Sequence, residues 1–171
     1  VGGLDLGGTK IEASLFDANL NCLRTRRIPT PQDDYDKLLV AICDQADWVR
    51  KENNQMVPLG IGCPGFTNDK TGIDYTANLP ATGQSFRADL KALIPGLVIE
   101  QDLKCFALSE ANGGAGTGCN NVFGLAFGTG LGGAYCIDGR LVKGWQGLVA
   151  EIGHVPIAAK TVLTYGLSLQ P

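Results

Sequence analysis

The sequence predicts an α/β fold in which a meander of three strands leads into alternating helices and strands. Two observations carry this: three strand-like runs over 2–28 separated by turn residues, and helical apolar spacing over 33–53 followed by short apolar runs between polar turns. A third observation, a stretch that repeats at one constant offset, predicts the start of a second lobe of the same type.

Residues 2–6 read as a short buried strand, Gly7 and Gly8 as a turn, 11–17 as an alternating strand, and 20–28 as a third strand after a turn at Asn19. Strands joined by turns this short pair antiparallel. Over 33–53, Tyr35, Leu38, Leu39, Ile42, Ala46 and Val49 share one helical face, with acids at the start and Arg50-Lys51 at the end, as the helix dipole favours. There follow an apolar strand at 58–63, a polar loop with a turn at 69–72, a helix over 85–94, a strand over 97–100 and a helix over 104–111. The order β-β-β-α-β-α-β-α is the ribonuclease H-like arrangement. The glycine-rich stretch 113–121 reads as a linker between a first lobe, 1–112, and the beginning of a second, 122–171.

Composition narrows the function. A chain of 171 residues, 44% apolar and 18% charged, has enough apolar surface for a packed core and is not a disordered tail. Its net charge of -3 argues against nucleic acid as a partner. No apolar run approaches the roughly 18–20 residues that span a bilayer, and residues 1–10 have no export signal. A cytoplasmic protein without membrane contact is expected. The six cysteines are scattered singly, mostly inside apolar runs, and read as reduced core cysteines.

Glycine is over-represented: there are 24, of which 13 lie between Gly113 and Gly153. Such density points to tight turns or close backbone approach to a ligand. Residues 3–20 align on 124–141 without a gap, with six of eighteen positions identical, including Gly7/Gly128, Ala13/Ala134 and Asp17/Asp138. Both copies read strand, glycine turn, strand, Asp-led turn, strand. Two such hairpins can turn bare backbone N–H groups toward one ligand from two sides.

Two phosphate motifs are ruled out by context. Residues 3–10 have the gap of a P-loop, but the order is Thr9-Lys10 and a strand follows where a helix should begin. The G-x-G-x-x-G patterns at 60–65 and 128–133 also lack the helix whose N-terminus would hold a pyrophosphate. The polar residues say more. Asp5 lies in an apolar strand just before the first glycine turn, where a carboxylate is costly without a cation or ordered water. That position suits Mg²⁺ or a phosphate, or a turn cap. Asp102 follows a strand and precedes a helix, at the carboxyl edge where α/β folds gather ligands, and reads as a general base or a helix cap. Glu151 and His154, the only histidine, are three apart and can converge on one ligand.

The motifs DLGGTK at 5–10, GIGCPG at 60–65, TANLP at 76–80, QDLKCFALSEA at 101–111, FGTGLGG at 127–133 and AEIGH at 150–154 resemble, in order and near-spacing, the ROK sugar kinases. Within that family the resemblance is greatest to the branch acting on N-acetylglucosamine, and it covers essentially the whole chain. It implies an actin/hexokinase-type ATPase fold and transfer of the γ-phosphate of ATP, with Mg²⁺, to the 6-hydroxyl of N-acetylglucosamine. N-acetylmannosamine, glucose and fructose are the alternative acceptors. By resemblance, Asp5, Gly7, Gly8, Thr9, Lys10, Gly128, Thr129, Gly130, Gly132 and Gly133 serve the nucleotide. Gly65, Asn78, Gln101, Asp102, Glu151 and His154 serve the sugar, with Asp102 as catalytic base. Family members are commonly homodimers.

The chain departs from the family at several points. Gln101 and Lys104 stand where the family has asparagine, and Lys104 is near enough to pair with Asp102 and weaken it as a base. Ala150 replaces a glycine before Glu151, in a turn that calls for positive φ. The family's cysteine segment, which binds structural zinc with the residue matching His154, is absent, so the zinc site is incomplete here and the second lobe reads as truncated. A sugar-binding module without turnover is the rival reading. Repressors of the same family carry a helix-turn-helix ahead of the strand that Val1 opens here.

Overall fold

The computed structural model describes residues 1–52, 57–76, 78–127, 131–145, 147–154, 156, 158, 160, 161 and 164, without the His154 side chain. The chain folds as two compact units, Val1–Asp102 and Leu103–Pro171.

The first unit is built on a five-stranded sheet. Strands β1 (Gly2–Leu6), β2 (Lys10–Phe16) and β3 (Cys22–Pro29) form the expected antiparallel meander. Helix α1 (Tyr35–Glu52) leads to β4 (Leu59–Cys63), which pairs parallel with β1, and β7 (Val98–Gln101) pairs parallel with β4. The sheet order is β3-β2-β1-β4-β7. Alternation fixes which face is buried: Leu4 and Leu6 of β1, Ile11, Ala13 and Leu15 of β2, and Leu59, Ile61 and Cys63 of β4 point into the core. Leu38, Ile42, Ala46 and Val49 of α1 meet them at helical spacing. Gln45 on the same face donates from Nε2 to the Ile11 carbonyl at 2.9 Å, which satisfies one end of its buried amide.

Between β4 and β7 the structure adds an element that the periodicity does not reveal. A hairpin of β5 (Phe66–Thr67) and β6 (Asp74–Tyr75) turns through Asn68, whose side chain accepts from the Lys70 amide at 3.0 Å. Helix α2 (Phe86–Leu93) then buries Phe86 and Leu90 completely.

Helix α3 (Asp102–Gly113) begins two residues earlier than its apolar spacing suggests. From Leu103 onward it belongs to the second unit, where Ala107 and Ala111 pack with Ala134 and Cys136. The boundary between units therefore falls at Asp102, ahead of the glycine-rich stretch 113–121. The second sheet comprises β8 (Asn121–Phe127), β9 (Leu131–Ile137) and β10 (Arg140–Leu141), in the order β10-β9-β8. Its last turn, Asp138-Gly139, has φ of 48° and 71°, the two positive values that a type I′ hairpin requires.

The sequence repeat corresponds to a repeat of structure. At the same offset β2 falls on β9, and the ends of β1 and β8, Leu6 and Phe127, coincide. Pairing differs by one residue, since Leu6 faces Ile11 while Phe127 faces Leu131. Leu4 and Leu6 are buried, whereas Leu125 and Phe127 are exposed, which is the inversion a one-residue slip produces. The cysteines correct the composition reading: of the six only Cys63 and Cys136 are buried, while Cys22 and Cys119 are exposed. No helix among the described residues is long and apolar enough to cross a membrane.

Candidate functional site

In the first unit, the parallel strands β1, β4 and β7 end side by side, with Asp5 opposite Gly62, Gly62 opposite Glu100, and Cys63 opposite Gln101. Asp5 and Gln101 lie in this register; Asp102 follows β7 directly, Gly65 lies two residues beyond β4, and Asn78 approaches Gly8, two residues beyond β1. Gly8 lies so close to Asn78 that a Cβ would sit 2.8 Å from the Asn78 Cβ and 3.2 Å from its carbonyl oxygen. Asn78 itself has φ of 61°, a left-handed conformation that asparagine tolerates. The loop carrying it is closed by Thr82, whose hydroxyl accepts from the Thr76 amide at 3.0 Å and donates to the Thr76 carbonyl at 2.7 Å.

The first glycine turn has distinct roles for its members. The Gly7 amide donates to the Lys10 carbonyl at 2.9 Å, closing the turn, and the Gly7 carbonyl accepts from Thr30 Oγ1 at 2.7 Å. Gln32 Nε2 donates to the Gly8 carbonyl, and the Thr30 amide donates to the Thr9 carbonyl at 3.1 Å. The turn's carbonyls are thus held by neighbouring donors, and among the described residues the amides of Gly8 and Thr9 have no hydrogen bond. Amides presented this way suit an anion. Lys10 Nζ lies 3.4 Å from Glu12, which Arg27 also engages.

Asp5 is exposed, yet the strand end around it withdraws enough water from its carboxyl to raise the pKa, with Lys10 opposing. Gly65 has φ of 85°, and a Cβ there would overlap the Tyr75 carbonyl oxygen, so no other residue fits. Asp102 starts α3 immediately after β7, half-buried, with its carboxylate at the helix end whose dipole favours negative charge.

In the second unit, Gly128, Thr129 and Gly130 lie outside the described residues. Gly132 and Gly133 belong to β9. A Cβ at Gly132 would overlap Leu103, and one at Gly133 would lie 3.1 Å from the Phe123 ring and 3.2 Å from the Ala150 carbonyl oxygen. Ala150 has φ of 59°, so the turn before Glu151 does require the conformation expected of it. Glu151 is exposed, and a short 3-10 turn at Ile152–His154 follows. The His154 side chain is outside the described set. Lys104 is buried and its ammonium donates to the Gly147 carbonyl at 2.8 Å. Among the described residues no group of three His, Cys, Asp or Glu side chains converges as a metal site.

Sequence reasoning missed the strongest polar cluster of the first unit. Asp74, completely buried, accepts from Thr67 Oγ1 at 2.6 Å, from the Arg87 amide at 3.0 Å and from the Arg87 guanidinium. The only cue was an acid directly beside Ile73 in an otherwise polar loop.

A lobe with this sheet order and a ligand edge at its parallel strand ends is that of an actin/hexokinase-type ATPase fold. Solved structures share it. A ROK hexokinase from Thermus thermophilus superposes with a TM-score of 0.80 at 30% identity, covering 94% of this chain and 54% of that one. A ROK family glucokinase from Streptomyces griseus, in complex with glucose and AMPPNP, gives 0.79 at 30% identity over 92% of this chain and 51% of that one. The ROK family model matches residues 1–165, and the chain belongs to the ROK family. It is 41% identical over 165 residues to the N-acetyl-D-glucosamine kinase of Yersinia enterocolitica, covering 94% of this chain and 54% of that protein. To the N-acetyl-D-glucosamine kinase of Escherichia coli it is 37% identical over 167 residues, 96% of this chain and 55% of that protein. The chain spans about half the length of the curated relatives it matches.

Proposed function

We propose that these residues form part of an ATP-dependent sugar kinase that phosphorylates N-acetylglucosamine at its 6-hydroxyl, with Asp102 as general base. The observation that carries the reading is the common edge at which β1, β4 and β7 end: Asp5 and Gln101 pair in register with β4, Asp102 follows Gln101 directly, and Gly65 lies two residues beyond the end of β4. Relatives named N-acetyl-D-glucosamine kinase near 40% identity support the choice of sugar.

In the proposed reaction the Asp102 carboxylate accepts the proton of the sugar 6-hydroxyl as that oxygen bonds to the γ-phosphorus, and the bond to the bridging oxygen breaks to release ADP. MgATP enters as a substrate, its metal offsetting phosphate charge. The Gly8 and Thr9 amides face phosphate oxygens, the donor arrangement that stabilises charge spread over a transferring phosphoryl group. Gly7 acts differently, as the turn closure that presents those amides. Asp5 adds a carboxylate at the strand end, poised toward the metal-bound phosphates. Gly65 and Asn78 contact the sugar, and Gln101 shapes its pocket with an amide one methylene longer than asparagine. By resemblance, Gly128–Gly133 also serve the nucleotide and Glu151 and His154 the sugar; homodimerisation and a cytoplasmic location belong to the same reading.

The test is Asp102→Asn, in the longest protein that carries these residues, measured by coupled ADP release and by calorimetric sugar binding. Turnover is expected to fall by about 10²–10⁴-fold with sugar affinity nearly unchanged. Turnover close to that of the unaltered protein would remove Asp102 from the base position.

A further inference from the structure

We infer that Arg87, anchored by Asp74, is a positioning residue that aims the Gly65 amide at the sugar; this rests on the kinase reading above. Arg87 is the second residue of α2 and opens the RADL segment at 87–90, but it is not among the expected site residues. One end of its guanidinium, with its own backbone amide, engages the buried Asp74 carboxylate. The other terminal nitrogen donates to the Gly65 carbonyl at 2.9 Å and lies 3.4 Å from the Pro64 carbonyl. Thr67 fills a further acceptor position on Asp74, and the Asp74 backbone is held too, its N–H by Gln84 and its C=O by Gly83, both at 2.9 Å. The Asp74 carboxylate is therefore fully buried with hydrogen bonds to both oxygens, and the Arg87 side chain is largely buried with both terminal nitrogens engaged.

Stability alone does not account for such a pair. Burying two charges costs several kcal/mol per ion, and apolar replacements of similar volume are often neutral or better. An apolar pair has no donors for the Pro64 and Gly65 carbonyls. In a trans peptide the C=O and N–H point in opposite directions, and the chain has no cis bonds. With the Pro64 carbonyl turned to Arg87, the Gly65 N–H is turned away from α2. Tyr75 fixes the other side, its carbonyl oxygen occupying the place a Cβ would need at Gly65. The loop thus has its amide direction set by Arg87 and its approach set by β6. The ligand chemistry it suits is an oxygen acceptor, a hydroxyl or acetamido carbonyl of the sugar.

The experiment uses Arg87→Met, Arg87→Lys and Asp74→Asn in the longest protein that carries these residues, with steady-state kinetics in both substrates and thermal melts. Losing one oriented hydrogen bond is expected to raise the sugar KM about tenfold while the ATP KM and kcat stay within about threefold. Arg87→Lys keeps a charge for Asp74 but lacks the fork, so it is expected to recover melting temperature without recovering sugar KM. If Arg87→Met does not fold, Arg87→Lys and Asp74→Asn decide. Sugar KM unchanged in folded variants, or restored together with stability by lysine, overturns the inference. An unaltered protein that neither binds nor phosphorylates the sugar overturns the kinase reading and this inference with it; a working enzyme indifferent to Arg87 overturns this inference alone.

Discussion

At the end of β1 a single carboxyl sets stability against chemistry. The Asp5 pKa is raised by burial, so its charged form is less favourable in the folded chain than in the unfolded one. The resulting loss of stability is complete above the folded-state pKa, fades as pH falls through it, and vanishes below the unfolded value of about 3.9. Asp5→Asn is therefore expected to melt slightly higher than the unaltered chain at pH 7, with the difference gone near pH 3, and to lower kinase turnover. Equal melting temperatures at pH 7, measured by circular dichroism, would contradict the burial argument. Ala150 is a second residue at which local geometry conflicts with side-chain preference. A non-glycine residue in the left-handed region costs about 1–2 kcal/mol, against about 0.4–1 kcal/mol for the extra freedom of glycine in the unfolded chain. Ala150→Gly is expected to stabilise by about 0.5 kcal/mol net in urea unfolding.

Among the elements, α2 joins core and site. Phe86 is fully buried at its start and meets the Tyr35 ring edge-on at 6.3 Å, while the next residue, Arg87, reaches Gly65. Phe86→Ala is expected to cost about 3–5 kcal/mol. Because the same turn of helix carries Arg87, sugar affinity should weaken as well, and a chemical melt beside a binding titration checks both. The elements also show what the sequence makes legible. The strands β1, β2 and β4 and helix α1 announce themselves by period, because each buries one face against the same core. The β5–β6 hairpin does not, since two-residue strands have no period to read. Asp102 is visible as an acid at a strand end, whereas Asp74 carries no such signal, because the arginine that neutralises it lies thirteen positions further along the chain. The glycines at 132 and 133 stand out by their density, and in β9 an added Cβ would meet Leu103 at the first and the Phe123 ring and two carbonyl oxygens at the second.

At the scale of the whole molecule, the described residues of the two units differ in core. The first joins Leu6, Ile11, Leu38, Ile42, Phe86, Leu90 and Ile94 in one cluster, all at or below 2% exposure; the second gathers the smaller Ala107, Ala111, Ala134 and Cys136. Burial of larger side chains gives more hydrophobic stabilisation, so opening of the second unit is the easier event. In native-state hydrogen exchange the β1, β2 and β4 amides are expected to be protected at least about tenfold longer than those of β8 and β9. Equal protection would mean that the units open together. The one-residue difference in pairing has a further consequence. It turns Phe123, Leu125 and Phe127, the last 79% exposed, to the outside of β8, an edge strand of its sheet among the described residues. Seven residues long and without a lysine or proline, that strand carries among the described residues a row of backbone groups along its outer edge that can pair with a further strand.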